Sequence, residues 1–343
     1  MFWHPFVNVS ITGDECSIVC PRRQAHELFA PVLERLSPKV RNLVSISSED
    51  YSVILVFGEG LDAGQRVLDI TCPLATADIS IFYITTYYSD YILVPCLNQP
   101  EVIQVLESRG FVFEIKSNGE LAHPSRDSPL LRGEQHNGHS ANSGDLPPPS
   151  RTPPPPCDLA RLQRNTTQLL GDHGVVPRVD SSIELVTCAG VKDSTASASA
   201  ANYSEGKLQL GVTKCLTAIP PPRFFSLTLT DSDSASLTLE KRLVSLFNNN
   251  GEDLLLGKDG PEQVPITLDL KDLPIESTGI VCGVASCLRN GMRDRTDDLL
   301  NMSYLSTAKA GHVIVYLDEL EDAQEALKGG EQYVPLDVDG HIT

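Results

Sequence analysis

The feature that most restricts how this chain can fold is that it carries one pattern of elements twice. In the first half a strand-like run, YSVILVF (Tyr51 to Phe57), passes through the loop GEGLDAG into an apolar helix, QRVLDITCPLATA. A hairpin follows, SIFYITTYYSDYILVP, then a helix, QPEVIQVLESRG, and a last strand, FVFEI. The second half repeats this with VPITLDL (Val264 to Leu270), KDLPIESTG, IVCGVASCL, the hairpin MSYLSTAKAGHVIVY, the helix DELEDAQEALKG and the short run QYVPL. Both read βαββαβ. Ile84 to Val94 lies on Leu305 to Val315 without a gap, so Thr86 matches Thr307 and Asp90 matches Gly311, while upstream Gly64 matches Gly279. The openings of the halves echo one another as well, FVNVSITGDECSIV (Phe6 to Val19) against FFSLTLTDSDSASLTL (Phe224 to Leu239), each running into an apolar helix. Each half is therefore expected to hold two small α+β units, the first less regular than the second.

Between the halves the chain loses its apolar periodicity. From Lys116 to about Asp158 it is rich in Ser, Pro, Gly, Asn and charge, a composition that cannot bury a core. This sets the expected organisation: a first pair of units over residues 1–116, with the regular unit at about 51–116, and a disordered Ser/Pro-rich linker over 117–180. A second pair then covers 181–335, with its regular unit at about 263–335, and a tail runs over 336–343. A soft patch from Val191 to Lys207 interrupts the later half, between the strand-like SSIELVTCAG and the helix-like KLQLGVTKCLTAI. Arg289 to Asn301 reads as a surface loop.

Composition excludes several classes of function. The 343 residues carry a formal net charge of −18, which repels nucleic-acid phosphate and anionic lipid, and the densest basic stretch, Arg289 to Asp298, is offset by its own aspartates. No window approaches the roughly eighteen apolar residues of a membrane span, and the N-terminus lacks the pattern of a secretory signal. The expected location is cytoplasmic. Nine cysteines, without a C-x-x-C or a zinc spacing, read as buried reduced thiols, and neither a metal nor a cofactor is expected.

The motifs that invite chemistry have plainer readings. GEGLDAG follows a strand and opens a helix, but its third glycine is one residue late for a dinucleotide fingerprint, and Glu59 and Asp62 would face a phosphate. Such a loop at a helix N-terminus can equally receive a carboxylate. His26 sits in an ordinary helix. His312, beside Gly311 at the hairpin, reads as a solvent-facing or hydrogen-bonded strand residue. No G-x-S-x-G, P-loop or H-E-x-x-H is present, and no paired-carboxylate spacing supports a hydrolase using Asp78 or Glu276. Tyr83, Tyr87, Tyr88 and Tyr91 read as strand residues filling pleated surface. The hairpin is apolar on both faces from Ile79 to Ile84, which predicts a central strand covered by helices on one side and another layer on the other. Ser80 is the polar exception there, satisfied by a neighbouring carbonyl or available to a ligand.

The βαββαβ order, the run P-L-A-x-A-D-I-S (Pro73 to Ser80) with the TTYYSDYILV hairpin after it, and the FFSLT opening at Phe224 together resemble the ACT domains of the CASTOR family. These are cytosolic arginine sensors of the target-of-rapamycin complex, and the likeness is closest to their fungal relatives. It covers both patterned halves and not the linker. The resemblance implies tandem ACT-like, ferredoxin-like α+β units in two pseudo-symmetric halves, with antiparallel sheets and helices on one face. It also implies a small-molecule site between the second and fourth units. Carried over by position, that site comprises Ser80 and Ile81 of the first hairpin, Glu276, Ser277, Thr278 and Gly279 of the loop before the last unit's helix, and Thr307. Two departures argue against arginine as the ligand: Ala308 replaces the family's aromatic, and Gly311 replaces the aspartate that would neutralise a guanidinium, leaving a buried cation unpaired.

The resulting expectation is a non-enzymatic regulatory protein that binds an amino acid or similar small molecule between its halves. Its nutrient-sensing output would pass allosterically through a regulatory protein partner to target-of-rapamycin signalling, with no nucleic acid or membrane involved. Exposed sheet edges would offer a homodimer. The alternative is an ACT-domain scaffold with no ligand that works by protein–protein association.

Overall fold

The computed structural model describes residues 6–56, 63–115, 121–125, 156–191, 198–231, 233–248, 253–274, 276–292 and 302–328. Unit one is a hairpin of β1 (Phe6–Ile11) and β2 (Cys16–Val19), followed by the short helices α1 (Arg22–Gln24), α2 (Ala30–Arg35) and α3 (Pro38–Arg41). Between α1 and α2 the backbone widens into a π-helical turn over Ala25–Phe29. Pro31 supplies no N–H and its ring crowds the carbonyl four residues back, so regular α bonding cannot run through this point. Unit two is complete: β3 (Tyr51–Val56), α4 (Ala63–Thr76), β4 (Phe82–Thr85), β5 (Asp90–Pro95), α5 (Gln99–Ser108) and β6 (Val112–Ile115). Then come β7 (Leu121–Ser125), α6 (Pro156–Asp172) and β8 (Arg178–Val179). Unit three holds β9 (Leu185–Gly190), α7 (Ala198–Leu216), β10 (Phe225–Thr230), β11 (Ser236–Glu240), a 3₁₀ helix over Lys241–Phe247 and β12 (Leu255–Leu256). Unit four holds β13 (Gln263–Asp269), α8 (Ile280–Gly291), β14 (Ser303–Ser306), β15 (Ala310–Tyr316) and α9 (Leu320–Leu327).

Thirteen strands form one antiparallel sheet in the order β2-β1-β10-β11-β9-β13-β15-β14-β4-β5-β3, with β12 on β9 and β8 on β13; β6 and β7 pair separately. The fold is thus α+β and tandem ACT-like. Units one and three share a seam along β1 and β10, from Phe6 opposite Thr230 to Ile11 opposite Phe225. Units two and four meet at β4 and β14, where Ile84 stands opposite Leu305, its equivalent in the repeat. Around that point the Tyr83 N–H donates to Ser306 Oγ at 2.9 Å and the Tyr304 N–H to Thr85 Oγ1 at 3.0 Å, so each half satisfies the other's edge in the same way. The tight hairpin turns repeat too: the N–H and hydroxyl of Thr86 both donate to Ser89 O, and those of Thr307 to Ala310 O.

Alternate residues of the paired strands feed two cores. Ile54, Val56, Tyr83, Ile92 and Val94, with Ile266, Tyr304, Val313 and Val315, face the helices α4, α5, α8 and α9. Leu55, Ile84, Tyr91 and Leu93, with Leu305 and Ile314, face the opposite way and meet Phe6, Phe224 and Leu185 of units one and three. The Phe6 and Tyr91 rings lie 5.0 Å apart there. This double coverage explains the uniformly apolar first hairpin. Unit three keeps a core of its own between β9, β10, β11 and α7.

Several expectations change. The linker does not extend unbroken from 117 to 180: β7 pairs with β6, and α6 is an amphipathic helix whose Leu162 and Thr166 are buried against unit four. Its DLARLQRNTTQLL run has helical apolar spacing that the flanking prolines and serines obscure. Residues 126–155, the expected last strand of unit four, the tail and most of the Arg289 to Asn301 loop lie outside the described residues. Nor are the cysteines uniformly buried, since Cys16 and Cys96 are exposed.

The α6–α8 contact is close enough to test. A Cβ on Gly283 would lie 2.1 Å from Thr166 Oγ1 and 2.3 Å from its Cβ. Gly283→Ala is therefore expected to lower the unfolding free energy by about 1–3 kcal/mol, as overpacking does. Chemical denaturation checks this, and an unchanged midpoint would show that α6 does not seat on α8.

Candidate functional site

A cavity of about 1560 Å³ opens beside the seam of units two and four. It exceeds the roughly 300–1,000 Å³ typical of small-molecule pockets. Ser80, Ile81, Ser277, Gly279 and Thr307 all lie on its wall. Glu276 and Thr278 are not among the lining residues, and Glu276 is exposed. The four consecutive loop residues implied by the resemblance thus divide, two toward the cavity and two away from it.

Local structure explains how the wall residues are presented. Helix α4 is followed by a turn at Asp78, whose φ of 55° lies in the left-handed region that asparagine and aspartate tolerate better than most residues. The Ile79 N–H bonds back to Leu74 O, Ile79 is buried, and the reversed chain presents Ser80 and Ile81. Opposite, Gly279 caps α8 with φ 77°, a conformation that requires glycine. Its carbonyl accepts from Thr166 Oγ1 at 3.1 Å, so α6 helps to hold the loop. Sequence reasoning missed Thr166 because it had assigned that residue to the linker.

The third wall is the β14–β15 turn, Thr307 to Ala310. Here Glu15 of the β1–β2 turn reaches across: its Oε1 accepts from Thr307 Oγ1 at 2.5 Å and from the Lys309 N–H at 2.9 Å. The same turn of unit one is tied down by Asp14, whose carboxylate meets Arg178 at 2.9 Å. The meeting of Glu15 with this turn has no sequence signal, because it pairs residues about 290 positions apart. Segment 22–50 forms the outer wall, with Phe29, Val32, Leu33 and Leu36 toward the space; α1, α2 and α3 bury no residue fully. Arg22 fastens its two ends together by bonding Asp50 Oδ1, Ser47 O and Glu49 O.

The chemistry available in the cavity is that of binding. Cys16, Cys20 and Cys282 line it, and burial holds the first two thiols above their ordinary value. The Cys282 thiol is held higher still by its hydrogen bond with Cys72 and by burial. All three are kept protonated, which makes them poor nucleophiles. Among the described residues no group of three His, Cys, Asp or Glu side chains is placed to hold a metal.

Two residues weighed from sequence have structural partners. Asp90 is buried and pairs with Arg66 at 3.0 Å. Burial holds its carboxyl above the usual carboxylate range, with Arg66 pulling the other way. In unit four its equivalent is Gly311, where a Cβ would lie 2.2 Å from the Tyr304 hydroxyl, so an aspartate does not fit without moving that ring. His312 is not at a solvent-facing strand edge: it is 1% exposed in β15, with Nδ1 3.0 Å from Thr267 Oγ1 and its ring edge-on to Phe224 at 5.5 Å. From Phe57 to Asp62 the GEGLDAG loop lies outside the described residues. Among the described residues no helix is long and apolar enough to cross a membrane.

Among solved structures, aspartate kinase from Synechocystis matches with a TM-score of 0.29 and 12% identity. The match covers 94% of this chain and 48% of that one, so this chain spans about half the length of that enzyme's chain. Residues 46–108, which hold β3 to α5 of unit two, match the ACT domain family.

Proposed function

We propose that this chain is a non-enzymatic regulatory protein that binds an amino acid in the cavity beside units two and four. The observation that carries the reading is the convergence of Ser80, Ile81, Ser277, Gly279 and Thr307, from three segments far apart in sequence, on one cavity. A left-handed glycine at the N-terminus of α8, with Ser277 two residues before it on the same wall, suits the charged ends of an amino acid. The ACT match over residues 46–108 fits, since ACT domains generally bind amino acids for regulation. In the finer reading, ligand binding alters the packing of the halves and so the affinity for a protein partner. By resemblance alone, that output is cytoplasmic and feeds nutrient sensing on target-of-rapamycin signalling.

A thermal-shift panel of the twenty amino acids on the full chain tests this. At about a hundred times Kd the ligand should add roughly 2.7 kcal/mol to folded-state stability. Ser80→Ala is expected to remove most of the shift, whereas Glu276→Ala, off the wall, should leave it. A flat panel on well-folded protein favours the ligand-free scaffold. The exposed Leu28, Val32, Leu43 and Val44 of segment 22–50 would suit such a protein–protein association.

A further inference from the structure

We infer that the β14–β15 turn is a carboxylate-binding subsite held shut by the chain's own Glu15. The inference rests on the amino-acid reading above and deepens it by naming the ligand class, an acidic amino acid or comparable dicarboxylate, and an internal competitor.

Three observations lead there. First, a hydroxyl and a backbone N–H, from Thr307 and Lys309, converge on one oxygen of Glu15 at 2.5 and 2.9 Å. Donors gathered on a single anionic oxygen at a turn form an anion cradle, and hydrogen bonds to a charged acceptor are the strong kind. Second, the repeat supplies a control. The equivalent acid of unit three is Asp233, placed like Glu15 by a bond to a threonine three residues earlier. Asp233 meets the equivalent hairpin of unit two through the hydroxyls of Ser89 at 3.2 Å and Tyr91 at 3.1 Å. The Thr86 hydroxyl donates to Ser89 O, as that of Thr307 also does to Ala310 O. What differs is the contact with the acid of the neighbouring unit, made by the side-chain hydroxyls of Ser89 and Tyr91 in unit two and by a threonine hydroxyl and the Lys309 amide in unit four. Third, Thr307 and Lys309 belong to the cavity wall together with Ser277 and Gly279. The exposed Lys309 side chain adds a positive charge at the turn, and Gly311 adds none of the negative charge that Asp90 brings to unit two.

A ligand with carboxylates at both ends would place one against the Ser277–Gly279 loop and the other on Thr307 and Lys309, displacing Glu15. That exchange frees the β1–β2 turn from unit four, leaving Asp14 with Arg178 as its remaining tie. Ligand binding and release of the β1–β2 turn from the β14–β15 turn become one event.

The test uses calorimetric titration of the full chain with L-aspartate, L-glutamate, L-glutamine and L-arginine, in wild type, Glu15→Gln and Thr307→Val. An acidic amino acid is expected to bind. Its affinity should rise about tenfold in Glu15→Gln, where the competing charge is gone, and fall about tenfold in Thr307→Val, where one donor is lost. In Glu15→Gln the Lys309 amide should also exchange faster with solvent, a readout that needs no ligand. Equal affinity for the acidic ligand in wild type and Glu15→Gln overturns the inference. So does tight binding of glutamine or arginine that ignores both substitutions, although that result leaves the amino-acid reading standing. If neither acidic amino acid binds to any variant, the inference falls, and the twenty-amino-acid panel decides the amino-acid reading on its own.

Discussion

Arg66→Met should cost this protein about 3–5 kcal/mol at neutral pH, the usual penalty for removing one partner of a buried ion pair. Asp90 lies within the sheet at 1% exposure, and its side chain is far more buried than that of Arg66. Among the described residues its Oδ1 has no hydrogen-bond partner, nor does the Tyr83 hydroxyl, although the Asp90 charge raises that phenol's pKa. Thr85 and Tyr83 also favour the charged carboxylate, but Arg66 is its strongest support and the one that carries a charge. Without Arg66 the group must either stay charged in a poor medium or take up a proton, so the loss should shrink as pH falls. The second half of the chain has dispensed with the pair. Gly311 stands for Asp90, and when Gly64 is set on Gly279, Val281 stands for Arg66. Arg66→Met combined with Asp90→Gly should therefore recover a large part of the single-variant loss, a coupling of about 2 kcal/mol or more in a double-mutant cycle. Urea unfolding measures all four corners. A single Arg66→Met variant within about 1 kcal/mol of wild type would mean that solvent screens the pair.

The second large effect is pH dependence through His312. Burial depresses its pKa from 6.5 to about 4; Asp14 opposes the shift and Arg178 adds to it. Nε2 has no partner among the described residues, so nothing there compensates a second proton. The unfolded chain takes up a proton near pH 6.5 and the folded chain only near 4. Between these values the unfolded state binds more protons, and stability falls as pH falls. The stability contribution is complete above 6.5. It declines by roughly 2 kcal/mol by pH 5 and about 3 kcal/mol by pH 4. Carboxylates titrate in the same range, so the comparison must be internal. His312→Gln keeps a group able to meet Thr267 but cannot titrate, and its stability should decline less steeply with acid than wild type. Parallel pH profiles for the two proteins would rule out the buried neutral histidine.

The repeat was legible in the sequence because strand and helix periods are written locally and the hairpins align without a gap. That alignment extends to structure: Thr85 stands to Asp90 as Ser306 stands to Gly311. The apolar two-faced hairpin likewise revealed that another layer had to cover it. What sequence reading did not resolve is where side chains of distant segments meet. Ser80 and Thr307 are legible as candidates by position, but the division of the 276–279 loop depends on how a left-handed Gly279 turns the chain into α8. Helix α6 was concealed by the composition around it. The reach of Glu15 to Thr307 has no local signature, since it depends on how far unit one folds back over unit four. Of the two readings of His312, the hydrogen-bonded one holds, through Thr267, and the solvent-facing one does not, because β15 begins at Ala310 and runs through the middle of the sheet.

The seam at β4 and β14 has one further consequence. Each half presents there a tyrosine N–H that needs an acceptor and a hydroxyl, from Thr85 or Ser306, that supplies one. An edge bearing both is complementary to itself under a two-fold axis, the arrangement that two identical molecules use to dimerise. Tethering both copies in one chain makes their meeting independent of protein concentration. It also frees the copies to diverge: one keeps an ion pair where the other packs a glycine against a phenol, and one binds its partner's acid through side chains where the other offers a backbone amide. An assembly of identical subunits would have to carry any such change twice.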